Sequence, residues 1–131
     1  METPREAINR AFLTAHLLTA SVPVAEDITL KAIDSWNPRE ESQELLLENV
    51  VTAALRLRVR GPADTGFSDH FNAVLLLSPR LRRCFVLRFL VGWSAEACAR
   101  MLGTSRKRVD DGARLALQHL PANFKRQALA A

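Results

Sequence analysis

The sequence predicts an all-α protein made of two small helical modules joined by a short linker. Three observations point there. Apolar residues recur at helical spacing along the chain, and no stretch alternates convincingly at period two. One string, "RGPADTGFSDH" from Arg60 to His70, interrupts the pattern with glycine, proline and aspartate. The charge also changes sign near that string: residues 1–55 carry four basic and nine acidic side chains, residues 56–131 fourteen basic and five acidic. The expected organisation is therefore a first module over 1–60, a linker over 61–68 and a second module over 69–131.

The first module opens with Thr3-Pro4 and Glu6, a capping threonine with proline in the first helical turn. Ile8, Phe12 and Ala15 then give one apolar face, and Ile28, Ala32 and Trp36 a second. Pro23 and Asn37-Pro38 punctuate the run. In the second module "DHFNAVLLL" predicts a short helix. Ser78-Pro79 starts the next, through "RLRRCFVLRFLV", and Gly92 ends it. Ser94 caps "AEACARML", Gly103 breaks it, and Ser105 caps the helix that begins "RKRVDDGARLALQHL". The C-terminal "PANFKRQALAA" reads as an extension or frayed end of this last helix.

Composition bounds the function classes. A chain of 131 residues with 48% hydrophobic content can bury a core as one domain or as two modules. The apolar run Phe85 to Val91 is short and broken by Arg88, and "METPREAINR" lacks the apolar centre of a signal peptide, so a cytoplasmic protein with no membrane partner is expected. Cys84 and Cys98 form no C-x-x-C, so neither a zinc site nor a disulfide framework is indicated, and both are assigned to core packing. His16, His70 and His119 are scattered, with no nucleophile or carboxylate at motif spacing. No enzyme activity, metal or cofactor is expected.

The last two helices, separated by a glycine turn, have the form of a helix-turn-helix. In that motif the second helix enters the major groove while its opposite face packs on the first. Val109, Ala113, Ala116, Leu117 and Leu120 are the expected packed face, which leaves Arg106, Lys107, Arg108, Asp110, Asp111 and Arg114 as the candidate DNA-binding residues.

The run from Leu77 to Leu120 resembles region 4 of the sigma-70 family, in particular its small extracytoplasmic-function (ECF) group. There an "SPR" helix start is followed by a "GxSxxEIAxxLG" helix and an "SxxxV" recognition helix. Gly92, Ser94, Glu96, Ala99, Leu102, Gly103, Ser105, Val109 and Ala116 fall on those positions. A fainter resemblance links "HLLTASVPVAEDITLKAIDSW" to region 2 of the same family, through Thr19, Ala25-Glu26-Asp27 and Trp36. The resemblance implies a transcription factor that joins RNA polymerase core and reads a minus-35-like element in duplex promoter DNA. It also implies an anti-sigma factor as a further partner.

The departures point elsewhere. After Trp36 the chain reads "NPREESQELLLENVVTAAL", where Glu40, Glu41, Glu44 and Glu48 stand in place of the aromatic and basic residues that hold single-stranded promoter DNA in the family. Leu30 and Lys31 replace the glutamine and glutamate common in the polymerase-binding helix. These features define an alternative: a sigma-mimic interaction module, similar to the sigma-like halves of certain general-stress regulators, that occupies an anti-sigma factor without touching DNA.

Charge frames the choice. Arg106, Lys107 and Arg108 occupy the first turn of their helix, where the macrodipole disfavours each exposed cation by roughly 0.3 to 1 kcal/mol, so phosphate contact is their natural reason. Asp110 lies four residues after Arg106 and Asp111 four after Lys107, a spacing that allows intrahelical pairs which mask the bases. An aspartate can also accept from the cytosine amino group. Arg80, Arg82, Arg83 and Arg88 make the preceding helix basic and could extend a phosphate track.

Overall fold

The computed structural model describes residues 2–58, 63 and 69–121, all of them in helices and the turns between them. The chain divides into two compact units, Met1–Asp64 and Thr65–Ala131. Apart from Ala63, the expected linker 61–68 lies outside the described residues, as does the C-terminal stretch after Pro121.

The first unit packs three helices, α1 (Pro4–Thr19), α2 (Val22–Asp34) and α3 (Gln43–Arg56), each against the other two. Helix α1 begins with the expected cap. The Glu6 N–H donates to the Thr3 hydroxyl and the Thr3 N–H to the Glu6 carboxylate, both at 3.1 Å. This capping box satisfies two of the donors that a helix start leaves open. The buried stripe of α1 is Ala7, Ala11, Ala15 and Leu18, whereas Ile8 and Phe12 sit half-buried beside it. Ala15 is buried as the spacing predicts, but Ala7 and Ala11, each one residue before Ile8 and Phe12, take the core side in their place. The helix stops at Ala20, whose φ of 57° directs its N–H back to the His16 carbonyl.

Ser21 caps α2 and Ser42 caps α3 through their hydroxyls. The loop between them is pinned by Trp36, which is buried and donates its indole N–H to the Ser42 carbonyl at 3.0 Å. Helix α3 contributes Leu46, Leu47, Val50, Val51 and Ala54 to the core. Its acidic start is partly neutralised: Arg10 pairs with Glu44 at 2.9 Å and with Glu2 at 3.0 Å. Glu41 accepts from the Asn37 N–H at 2.8 Å. Glu40 and Glu48 remain exposed.

The second unit contains α4 (Asp69–Leu75), α5 (Pro79–Phe85), α6 (Ala95–Leu102) and α7 (Arg106–His119). Helix α5 runs without a break into a π-helical turn over Val86–Leu90, where the Val91 N–H reaches the Val86 carbonyl at 2.8 Å. The sequence suggests one regular helix up to Gly92; the widened turn is a feature of the fold alone. Gly92 (φ 84°) then turns the chain so that the Trp93 N–H bonds the Leu87 carbonyl at 3.0 Å. Ser78 precedes α5 as expected, but its side chain makes no capping bond.

Helix α7 packs chiefly on α5 and then on α6. Its buried residues are Val109, Gly112, Ala113 and Ala116, with Leu120 just beyond its end; Leu117 is only half-buried. Cys84 and Cys98 lie in this core, as free thiols. At Gly112 the two helices nearly touch: a Cβ built there would stand 2.8 Å from Cys84 Sγ. Arg82 is the other fixed point. Buried to 8% exposure, it donates to the Leu75 carbonyl at 3.2 Å and the Leu77 carbonyl at 3.3 Å. It therefore caps the C-terminal end of α4 and does not belong to the exposed basic track that the sequence suggests.

Candidate nucleic-acid interface

The turn between α6 and α7 is built from backbone requirements. Gly103 closes α6 in the left-handed region, φ 66°, with its N–H on the Ala99 carbonyl. A residue with a Cβ pays a steric penalty there. Two residues later Ser105 caps α7, its hydroxyl accepting from the Arg108 N–H at 3.2 Å. The short glycine–serine connection fixes α7 across α6 and leaves the first turns of α7 facing solvent.

The six candidate residues separate into three groups around α7. At about 100° per residue, Lys107, Asp111 and Arg114 lie opposite the buried Val109, Ala113 and Ala116, and all three are exposed. Gln118, also exposed, continues this outward face. Arg106 and Asp110 turn to one flank, and Arg108 to the other.

The flanking pair corrects the expected charge pattern. Arg106 does not pair with Asp110; its guanidinium donates to Glu96 of α6 at 2.7 Å. Asp110 instead faces Arg88, in the π-helical turn, at 3.7 Å, while Arg88 also donates to the Trp93 carbonyl at 3.2 Å. Among the described residues Lys107 and Asp111 form no ion pair, so their intrahelical bridge is absent as well. The physical reason is geometric. Arg106 and Asp110 lie toward the side of α7 that meets α6 and the π-helical turn, where Glu96 and Arg88 reach them first. Of the three cations at the start of α7, Arg106 thus has an intramolecular partner that offsets its clash with the helix dipole. Hydrogen bonding to its own backbone N–H, followed by Arg106, holds the Glu96 carboxyl below the usual carboxylate range.

On the opposite flank Arg108 lines an open cleft of about 280 Å³ with Arg80 and Arg83 of α5, beside Gly103, Thr104 and Cys84. Burial pushes the Cys84 thiol up, more than Arg80 and Arg108 pull it down. The thiol is therefore protonated at neutral pH and supplies no countercharge.

Sequence reasoning missed Arg88 and Glu96 as the partners of Asp110 and Arg106, and it missed Gly112. For the two ion pairs the sequence carries no signal, since the partners lie on different helices. Gly112 had one: a glycine in the middle of an otherwise strong helix marks a close approach.

A glycine-turned helix pair whose second helix directs Lys107, Asp111 and Arg114 outward is a helix-turn-helix module. Residues 72–120, from within α4 to the residue after α7, match the family model described as Sigma-70, region 4, and this stretch is a sigma-70 region 4. Comparisons with curated proteins and with solved structures give no match. Among the described residues no helix is long and apolar enough to cross a membrane.

Proposed function

We propose that the protein is a divergent ECF-like sigma factor, or a sigma-derived transcription regulator, that binds duplex promoter DNA through α7. The supporting observation is the outward face of α7: Lys107 and Arg114 are exposed there without an acidic partner among the described residues, while Asp110 is turned aside onto Arg88. One of the two aspartates that oppose DNA is thereby removed from the phosphate path. Arg106 and Arg108 flank this face as supplementary phosphate contacts. Asp111 remains on it and either reads a cytosine amino group or weakens binding. In this reading the three-helix unit is the region 2-like part, RNA polymerase core is the partner that recruits the protein to a minus-35-like element, and the protein works in the cytoplasm.

Anisotropy titration of a promoter-like duplex at two salt concentrations tests the proposal. Lys107→Gln and Arg114→Gln should each weaken binding, and each should lower the salt slope by about 0.9, the value for one phosphate no longer neutralised. Asp111→Asn should tighten it at low salt if the acid only repels. No duplex binding by the wild-type protein at low salt would overturn it.

A second reading is supported by Asp111 on α7 together with the exposed Glu40 and Glu48 of the first unit. In that reading the protein is a sigma mimic that occupies an anti-sigma factor. Asp111→Asn would then weaken capture of that partner and leave DNA binding negligible.

A further inference from the structure

The cleft beside Arg108 lies off the outward face of α7 and has a character of its own. Arg80 and Arg83 stand one turn apart on α5, and Arg108 reaches the same cavity from the first turn of α7. Among the described residues none of the three guanidiniums has a carboxylate partner, and no acid lines the cleft. This contrasts with Arg88 and Arg106 on the neighbouring turns, both of which the fold supplies with an acid. Like charges gathered at one concavity repel, and an anion that enters relieves that repulsion while accepting several charge-assisted hydrogen bonds.

The cleft is also constructed by the packing of α5 on α7. The absence of a side chain at Gly112 lets Cys84 press against α7, and a Cβ built at Gly112 would lie 3.9 Å from the Arg80 Nη2. The Arg80 guanidinium thus lies close to α7 at Gly112 and lines the same cleft as Arg108. Thr104 also lines the cleft, and the positive end of the α7 dipole adds to the same field. The open cleft, about 280 Å³, has room for a phosphoryl or pyrophosphoryl group.

We propose that Arg80, Arg83 and Arg108 form a phosphate seat at the junction of α5, the helix-turn-helix turn and α7. The seated group is a phosphate, and it has two chemical sources: a phosphodiester of duplex DNA, or a free phosphate or pyrophosphate group. The seat does not depend on base reading by the outward face of α7.

The full chain is titrated with pyrophosphate by calorimetry and with a non-promoter duplex by anisotropy, for the wild type and for Arg80→Gln, Arg83→Gln and Arg108→Gln. Arg39→Gln, an exposed cation of the first unit, is the charge-matched control. Circular dichroism confirms that each variant is folded. If the source is free phosphate, pyrophosphate binds the wild type and each cleft variant weakens it about tenfold, the loss of one charge-assisted hydrogen bond, with duplex binding unchanged in Arg80→Gln and Arg83→Gln. If the source is DNA, duplex affinity falls about tenfold per arginine, the salt slope drops by about 0.9 each, and pyrophosphate competes with the duplex. Lys107→Gln separates this proposal from the outward-face reading, because it lowers duplex binding without touching pyrophosphate. The seat is overturned if the wild type takes up neither probe, or if the cleft variants differ from wild type no more than Arg39→Gln does.

Discussion

Gly112→Ala sets two opposing effects against each other. In an open helix the change would stabilise, since alanine is favoured over glycine by about 1 kcal/mol. Here the new Cβ would sit 2.8 Å from Cys84 Sγ and 3.2 Å from Cys84 Cβ, where ordinary contacts begin near ~3.5 Å. Both residues are buried, and Cys84 is short and held just before α5 runs on into the π-helical turn, so neither has room to move aside cheaply. Overfilling a packed core costs about 1–3 kcal/mol, and the clash should win, for a net loss of about 1 kcal/mol. The fold relieves it by moving α5 off α7, which also displaces Arg80 from Arg108. Urea unfolding of Gly112→Ala, Cys84→Ala and the double variant measures this. The double-mutant cycle should return a favourable coupling of about 1 kcal/mol, because removing Sγ gives the added methyl room. An unchanged or raised stability in Gly112→Ala, or a coupling near zero, would refute the close approach of α5 and α7.

Three further outcomes follow from the same geometry. Gly103→Val should lose about 2 kcal/mol in denaturant unfolding through backbone strain alone, because nothing lies within 4 Å of the built Cβ; Gly103→Asn, tolerant of positive φ, should lose clearly less. Arg82→Met should destabilise by about 2 kcal/mol, because the Leu75 and Leu77 carbonyls lose their donor, and a loss confined to DNA binding, with stability unchanged, would return Arg82 to the phosphate track. Glu96 has its folded-state pKa lowered, so its contribution is present above the ordinary carboxylate range and is lost as pH falls through the lowered value; Glu96→Gln should remove that part of the acid limb in a pH series of unfolding curves and leave the pH dependence above neutrality unaltered.

Local chemistry was legible in the sequence because it acts over three or four residues. Thr3 with Glu6, Ser94 and Ser105 at helix starts, and Gly92 and Gly103 at helix ends, are readable from residue type alone, since each satisfies backbone groups of its own helix. The helix-turn-helix and its packed face follow from that spacing, and they led to the region 4 that the family match bears out over residues 72–120. The tertiary structure decided what depends on contacts between helices. It turned the α1 core onto alanines and withdrew Arg82 into the end of α4. It gave Asp110 to Arg88 and Arg106 to Glu96, and it brought Arg80, Arg83 and Arg108 around one cleft. Helical spacing says which residues share a face, but an ion pair forms with whichever opposite charge the packed neighbour presents. That depends on how closely two helices approach, and here the approach is set by the glycine at 112 against the cysteine at 84.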